Sequence, residues 1–241
     1  MKRIFKNFGK SFGLSSILMF FCLTHTNAQD CKNYYYMINN AEVQMTLYDN
    51  NGKTSGIQTW KISGVKKNGN GFQSSVVSTM TDAKGAEIAK GAGVYKCDGG
   101  RLMADMRLSL PQDGAKQVEA GDAKFEGSSL DYPVNISEGM SLPDALFTMN
   151  ATTTGIPSTT QFEIKNRKVT GKEKITSAAG SWDAYKITYD AVMKIKMGGI
   201  GIPMNMKTTE WFVPNFGIVK TETFNKKGKL VGSALLTKIK K

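Results

Sequence analysis

The stretch Tyr185-Lys186-Ile187-Thr188-Tyr189-Asp190-Ala191-Val192-Met193-Lys194-Ile195-Lys196-Met197 decides how this chain folds. Ile187, Tyr189, Ala191, Met193, Ile195 and Met197 share one parity. Lys186, Thr188, Asp190, Lys194 and Lys196 share the other, and only Val192 breaks the rule. A period of two is the mark of a β-strand with one buried face and one solvated face, and a helix would scatter these residues around its axis.

The same grammar extends in both directions. Downstream, Gly198-Gly199-Ile200-Gly201 reads as a turn, Met204 to Val213 as a return strand and Pro214-Asn215-Phe216-Gly217 as a second turn. Ile218 to Phe224 follows, then a turn at Lys226-Lys227-Gly228-Lys229 and a last strand from Leu230 to Ile239. Upstream, Thr160 to Val169 and Gly171 to Thr176 read as a pair. In the first half Glu42 to Tyr48 alternates, Asp49-Asn50-Asn51-Gly52 turns, and Gly56 to Ile62 returns. Phe72 to Thr81 and Glu87 to Cys97 flank a turn at Asp82-Ala83-Lys84-Gly85, and Asp98-Gly99-Gly100 leads into Leu102 to Leu110. Asn, Asp and Gly recur at these corners because they tolerate the positive φ of tight hairpins.

Between the halves, Pro111 to Ser128 is polar and reads as a long surface loop, and Ser141 with Leu142 and Leu146 suggests a single helical turn. No long amphipathic helix follows the first 28 residues. The expected fold is therefore all-β (mainly), an antiparallel meander curled into a barrel or half-barrel. Lysine and glutamate occupy positions that a membrane-spanning barrel would turn to lipid, so a soluble barrel is expected.

The first 28 residues have a different character. Lys2, Arg3, Lys6 and Lys10 precede an apolar run from Leu14 to Leu23, and Thr26-Asn27-Ala28 offers small residues for cleavage. That is a secretory signal, with an apolar core too short to span a bilayer as a helix. Residues 1–28 are thus expected to be removed, leaving 29–241 as one antiparallel β domain in the periplasm or outside the cell, soluble or peripherally associated with the envelope. The only histidine of the chain, His25, would leave with the signal, which excludes histidine-based triads and metal sites. Cys22 would leave too. Cys31 and Cys97 would then form an even pair in an oxidising compartment, where a disulfide is the simplest expectation.

The full chain carries 32 basic and 20 acidic residues, a formal charge of +12. Without the four basic residues of the leader, 28 against 20 leaves +8. The lysines are scattered along strands and turns, with no arginine-rich stripe and no aromatic ribonucleoprotein motif, so nucleic acid is not expected as a partner. Nothing in the sequence announces catalysis or a cofactor. Gly198-Gly199-Ile200-Gly201 lacks the strand–helix setting of a phosphate loop. Asp183 with Asp190, or Glu210 with Glu222, are the available carboxylate pairs, and exposed strand carboxylates are the plain reading of all four. The methionines are more suggestive. Met193, Met197, Met204 and Met206, with Trp211, line strand faces as either core filling or an adaptable surface for an apolar ligand.

Several short motifs carry a resemblance. Trp182-Asp183-Ala184-Tyr185 to Tyr189 is followed by Glu210-Trp211-Phe212-Val213-Pro214-Asn215-Phe216-Gly217-Ile218-Val219-Lys220-Thr221-Glu222. In the first half stand Cys31 before Tyr34-Tyr35-Tyr36, the Tyr48-Asp49…Gly52-Lys53 corner and Tyr95-Lys96-Cys97-Asp98-Gly99; Tyr132-Pro133, Gly139 and Leu142-Pro143-Asp144 lie between the halves. Together these resemble the TapB-like family of exported bacterial domains. The resemblance implies a half-open antiparallel barrel broadly like the LolA/LolB carriers of the envelope, and no catalytic residues. It departs in one respect: no long helix is available to plug the barrel. The expected function is that of a non-enzymatic cell-envelope protein binding a lipid or acyl chain in a β concavity. The alternative is a structural or assembly factor for another envelope protein, and a carboxylate-based hydrolase ranks last.

Overall fold

The computed structural model describes residues 31–109, 123–127, 129–153, 156–197 and 200–241. The region read as a secretory signal lies outside them. Among the described residues thirteen strands form one antiparallel sheet. In chain order they are β1 (Glu42–Asp49), β2 (Thr54–Asn68), β3 (Gly71–Asp82), β4 (Glu87–Asp98), β5 (Arg101–Ala104), β6 (Ala123–Gly127) and β7 (Leu130–Tyr132), followed by β8 (Ala145–Thr153), β9 (Ile156–Ser177), β10 (Gly180–Met197), β11 (Ile200–Val213), β12 (Gly217–Asn225) and β13 (Leu230–Lys240). Their spatial order is β6-β8-β9-β10-β11-β12-β13-β1-β2-β3-β4-β5-β7. The meander of the second half thus runs into that of the first through the pairing of β13 with β1, with Val43 opposite Ile239 and Asp49 opposite Gly232.

The sheet curls into a half-barrel. Its two edge strands, β6 and β7, are sequence neighbours, with only residues 128 and 129 between Gly127 and Leu130. The Arg167 side chain on β9 donates to the Asp131 carbonyl oxygen on β7 at 2.9 Å, so the far ends of the sheet face one another. Curling of this kind hides edges that would otherwise offer unpaired backbone groups.

Three corners use one device. Asp49, Asp82 and Asn225 each accept, through Oδ1, the backbone N–H groups two and four residues on, at 2.8–3.1 Å. Three residues after each stands a glycine, at φ of 78°, 86° and 75°. The pattern Asp/Asn-x-x-Gly therefore fixes three hairpins by local chemistry alone.

Elsewhere the structure departs from expectation. The pair predicted over 160–176 is a single 22-residue strand, β9, which passes straight through Thr170-Gly171. Two register shifts against β10 and a positive φ of 57° at Asn166 absorb the irregularity as bulges. The expected strand over 102–110 ends at Ala104 and gives way to a 3-10 turn, Met106–Ser109. Within the expected loop, residues 123–127 form β6. No helical turn forms around Leu142. That segment lies along β9 instead, with Gly139 N–H donating to the Val169 carbonyl and Leu142 N–H to the Arg167 carbonyl.

Among the described residues no helix plugs the barrel, and the segment that opens at Cys31 fills it instead. Two 3-10 turns, Cys31–Asn33 and Tyr35–Met37, carry Tyr34, Tyr35 and Tyr36 into the concavity, where all three are buried. Cys31 is joined to Cys97 on β4, with Cα atoms 5.7 Å apart. Tyr36 stacks on Tyr95 at 3.8 Å between centroids, and Tyr34 on Phe212 at 6.3 Å. The Tyr35 hydroxyl donates to the Ile218 carbonyl at 2.7 Å. Gly217, at φ 134°, is required there, because a Cβ on it would meet the Tyr35 ring at 2.5 Å.

Candidate functional site

The tyrosines fill one part of the concavity and leave another part open. A cavity of about 300 Å³ lies against Tyr36 and Tyr95, between the two halves of the sheet. Its walls are mostly apolar: Met45 and Trp60 from β1 and β2, Met80 from β3, Met106 and Leu108 from the 3-10 turn, and Phe162 and Ile164 from β9. The residues on strands arrive there by parity, since inward and outward side chains alternate and both halves turn their apolar faces to the interior, whereas Met106 and Leu108 are brought by the 3-10 turn. A second cleft, of about 360 Å³, lies where β4 and β5 approach β6 and β8, lined by Phe125, Phe147, Met103 and Arg107 among others. Asp105 lines both.

The cavity also touches a buried polar cluster. Glu210 on β11 is 2% exposed and Arg167 on β9 is 1% exposed. Arg167 Nη2 stands 3.8 Å from Glu210 Oε1, a loose ion pair. Arg167 Nη1 donates to the carbonyl oxygens of Asp131 and Pro143 at 2.9 and 3.1 Å, and the guanidinium lies 5.0 Å over the Tyr132 ring. Glu210 Oε2 accepts from the Tyr132 hydroxyl at 3.1 Å and from the Tyr189 hydroxyl at 3.5 Å. Among the described residues Glu210 Oε1 and Arg167 Nε and Nη2 have no hydrogen-bond partner. Burial pushes the Glu210 carboxyl above its ordinary value, opposed by Arg167 and by the two tyrosine hydroxyls. Burial also pushes the phenols of Tyr132, Tyr189, Tyr36 and Tyr95 well above theirs.

Glu210 is thus not the exposed strand carboxylate expected. Glu222 pairs with Lys220 at 2.6 Å and sits opposite Thr209, so the two glutamates do not converge. Asp183 lies opposite Lys174, and Asp190 accepts from Asn166 Nδ2 at 2.9 Å. Neither carboxylate pair forms a dyad. A signal for Glu210 was present in the sequence: on β11 it shares the parity of Met206, Thr208 and Phe212, a lone charge in the inward register. Arg167 had a weaker one, as one of three arginines after residue 3 in a chain that uses lysine for its surface. The bulge at Asn166 hid its parity.

The methionines and Trp211 lie elsewhere. Met193 pairs with Met204, and Ala191 with Met206, along the β10–β11 hairpin. Met193 and Met206 are half-buried, while Met197 and Met204 are 46% and 43% exposed. Trp211 points to the face opposite Glu210 and Phe212. It is buried under Lys186 and Lys220, which sit 5.5 and 4.3 Å from its ring, and its indole N–H donates to Glu173 Oε2 at 3.0 Å. None of these five residues lines the 300 Å³ cavity. Among the described residues no group of histidine, cysteine, aspartate and glutamate has the arrangement of a metal site, and no helix is long and apolar enough to cross a membrane.

The family model described as DUF3108-like matches residues 39–236, which run from β1 into β13 and take in the named lining of the cavity apart from Tyr36. The chain belongs to the DUF3108-like family. Two solved structures share the family member's fold. One is a Bacteroides fragilis protein described as exported and as having a YmcC-like fold. It is 20% identical, with a TM-score of 0.66 over 85% of this chain and 97% of that one. The other is a Parabacteroides distasonis protein described as a lipoprotein, 19% identical, with a TM-score of 0.68 over 86% and 98%. At these identities the likeness is one of fold. No curated protein matches this DUF3108-like chain in sequence.

Proposed function

We propose that this DUF3108-like protein is an exported, non-enzymatic component of the bacterial cell envelope that holds a small hydrophobic ligand inside its half-barrel. The observation that carries the reading is the apolar cavity left between the tyrosine plug and the two halves of the sheet. At about 300 Å³ it lies at the lower end of ligand pockets, suited to one short chain and not to a diacyl lipid. The leader over residues 1–28, and the description of the two fold relatives as exported and as a lipoprotein, support the location. The carrier analogy with LolA/LolB-type proteins belongs to this reading, with the Tyr34-Tyr35-Tyr36 segment standing where a plug helix would be.

Native mass spectrometry of residues 29–241 from a detergent-free periplasmic extract tests it. A reproducible added mass, released as a small amphiphile on denaturation, supports the carrier; a bare chain from every preparation overturns it.

A second reading rests on a different observation. β11 extends beyond β12, whose pairing starts only at Met206 opposite Asn225, so among the described residues Ile200–Asn205 is an open strand edge beside exposed Met197 and Met204. Such an edge suits strand addition by a partner protein. Crosslinking in the native envelope from position 204 tests it: a single crosslinked partner supports an assembly role, and none removes it.

A further inference from the structure

Where β12 stops pairing, at Met206, the strands β9, β10 and β11 run on together into a tip. There Met193 stands opposite Met204, and Met197 opposite Ser158. Residues opposed across antiparallel strands share a face, so Ile156, Met197 and Met204 lie on one side. All three are exposed. The same side carries Phe162, Ile164 and Tyr189 in the cavity wall, so one apolar stripe leaves the cavity and ends uncovered at the tip. Charge is distributed there in one sense only. From 191 to 209 the chain holds Lys194, Lys196 and Lys207 and no acid, and from 145 to 162 it holds no charged residue. Glu163, opposite Val192, is held by Lys165 and Lys194 at 2.7 and 3.1 Å. Behind the tip, the same end of the strands carries the β1–β2, β3–β4 and β12–β13 corners, beside which Ile57, Ile88 and Val231 are exposed.

We propose that this tip seats the protein on the surface of an anionic phospholipid bilayer. Ile156, Met197 and Met204 enter the boundary between headgroups and acyl chains. Lys194 and Lys196, of the opposite parity on β10, reach the lipid phosphates with their long stems. Charge complementarity decides the occupant: apolar side chains beside lysines, with no acid among them, match a surface that is negative above and apolar beneath. A second copy of this chain seated tip to tip would set lysine against lysine. A strand added along Ile200–Asn205 would take the edge of β11 and leave the apolar face uncovered. At headgroup depth that edge keeps water and phosphate as partners, which the hydrocarbon interior would deny it. The seat goes beyond the carrier reading and stands without it. For a carried chain it supplies a route, since the stripe leads from the tip to Phe162 and Ile164.

The test is flotation of the 29–241 chain with vesicles of phosphatidylcholine alone or mixed equally with phosphatidylglycerol, at about 0.15 M salt. The mixed vesicles are expected to bind it about tenfold or more tightly than the neutral ones. Replacing Ile156, Met197 and Met204 together by Ser should lower binding to the mixed vesicles about tenfold. Lys194→Gln with Lys196→Gln should lower it by a similar factor. Lys66→Gln with Lys67→Gln removes the same charge beside the β2–β3 corner, at the opposite end of the strands, and should change it less than about twofold. Equal losses from the two lysine pairs, or no loss in the serine variant, would reduce the binding to general attraction of a basic chain and overturn the seat. No binding to either vesicle also overturns it, and a protein crosslinked from position 204 would then be the occupant of this face. The lysine pairs decide alone if the serine variant does not fold, as judged by circular dichroism. Native mass spectrometry decides the carrier reading separately, so the two can fail independently.

Discussion

At the scale of single residues, the chain places one acid and one base where its strand pattern calls for apolar side chains. Glu210 and Arg167 are almost wholly buried, and their partners come from four strands: Tyr132 from β7, Arg167 from β9, Tyr189 from β10 and Glu210 itself from β11. Removing ions from water is expensive, and a 3.8 Å separation recovers only part of the cost. The sign of the resulting pH dependence follows from linkage. The folded-state pKa of Glu210 is raised, so the protonated form favours the fold. Its contribution is fully present below the unfolded value and is lost as pH rises through the folded one. Glu163, lowered by hydrogen bonds from Lys165 and Lys194, and Glu173, lowered by those from Lys186 and Trp211, act in the opposite direction. The contrast with Glu210→Gln removes their effect. The melting temperature of wild type minus that of Glu210→Gln should therefore fall as pH is raised from about 4 to about 8. A constant difference would mean that Glu210 titrates normally.

At the scale of elements, the β10–β11 hairpin shows how one apolar stripe can serve two environments. Near the barrel its inward face holds Ile187, Tyr189 and Ala191. Towards the tip the same parity carries Met193, Met197, Met204 and Met206 into increasing exposure, because β12 pairs with β11 only from Met206 onward. Period two assigns a face but says nothing about whether that face is covered. Met197→Ser and Met204→Ser should each change stability by less than about 0.5 kcal/mol, as surface substitutions do. Met45→Ala, on the buried wall, should cost about 2–5 kcal/mol. Urea denaturation of the three variants checks this, and a large loss at Met204 would mean the tip is covered in solution.

At the scale of the whole molecule, two features hold the plug in the barrel. The Cys31–Cys97 bond closes a 66-residue separation, worth roughly 4 kcal/mol in the chain-entropy account. Cys97→Ser should lower stability by about 2–5 kcal/mol, and reductant should lower wild type to the same level and leave the variant unchanged. Denaturation with and without reductant measures it. The second feature is the set of buried phenols. Tyr35, Tyr36, Tyr95, Tyr132 and Tyr189 all have pKa values raised by burial well above the ordinary 10.0. A raised folded value means stability that is complete below the unfolded pKa and declines as pH climbs beyond it. Unfolding followed by tyrosinate absorbance should start above about pH 10 as one cooperative step. Gradual titration of these phenols in a folded chain would show that they are reached by solvent.

The long strands of the two meanders, the antiparallel class and the Asp/Asn-x-x-Gly corners were legible in the sequence, because alternation and turn chemistry act over a few neighbouring residues; β6, β7 and β8 in the middle of the chain were not. Cys31 and Cys97 could be paired on number and compartment alone. The closure of the sheet was not legible, since the β13–β1 pairing and the approach of β7 to β9 join segments far apart in the chain. Nor was the passage of β9 through Thr170-Gly171, where pairing with β10 outweighs a local turn signal. The candidate site shared that fate. Glu210, Arg167, Tyr132 and Tyr189 lie on separate strands with no common spacing, and only the curl of the sheet brings them to one wall. The sequence determined which faces are apolar, a property of parity; the tertiary structure decided which of those faces meet, which is filled by Tyr34, Tyr35 and Tyr36, and which encloses a cavity, because burial is a property of the neighbours each face acquires.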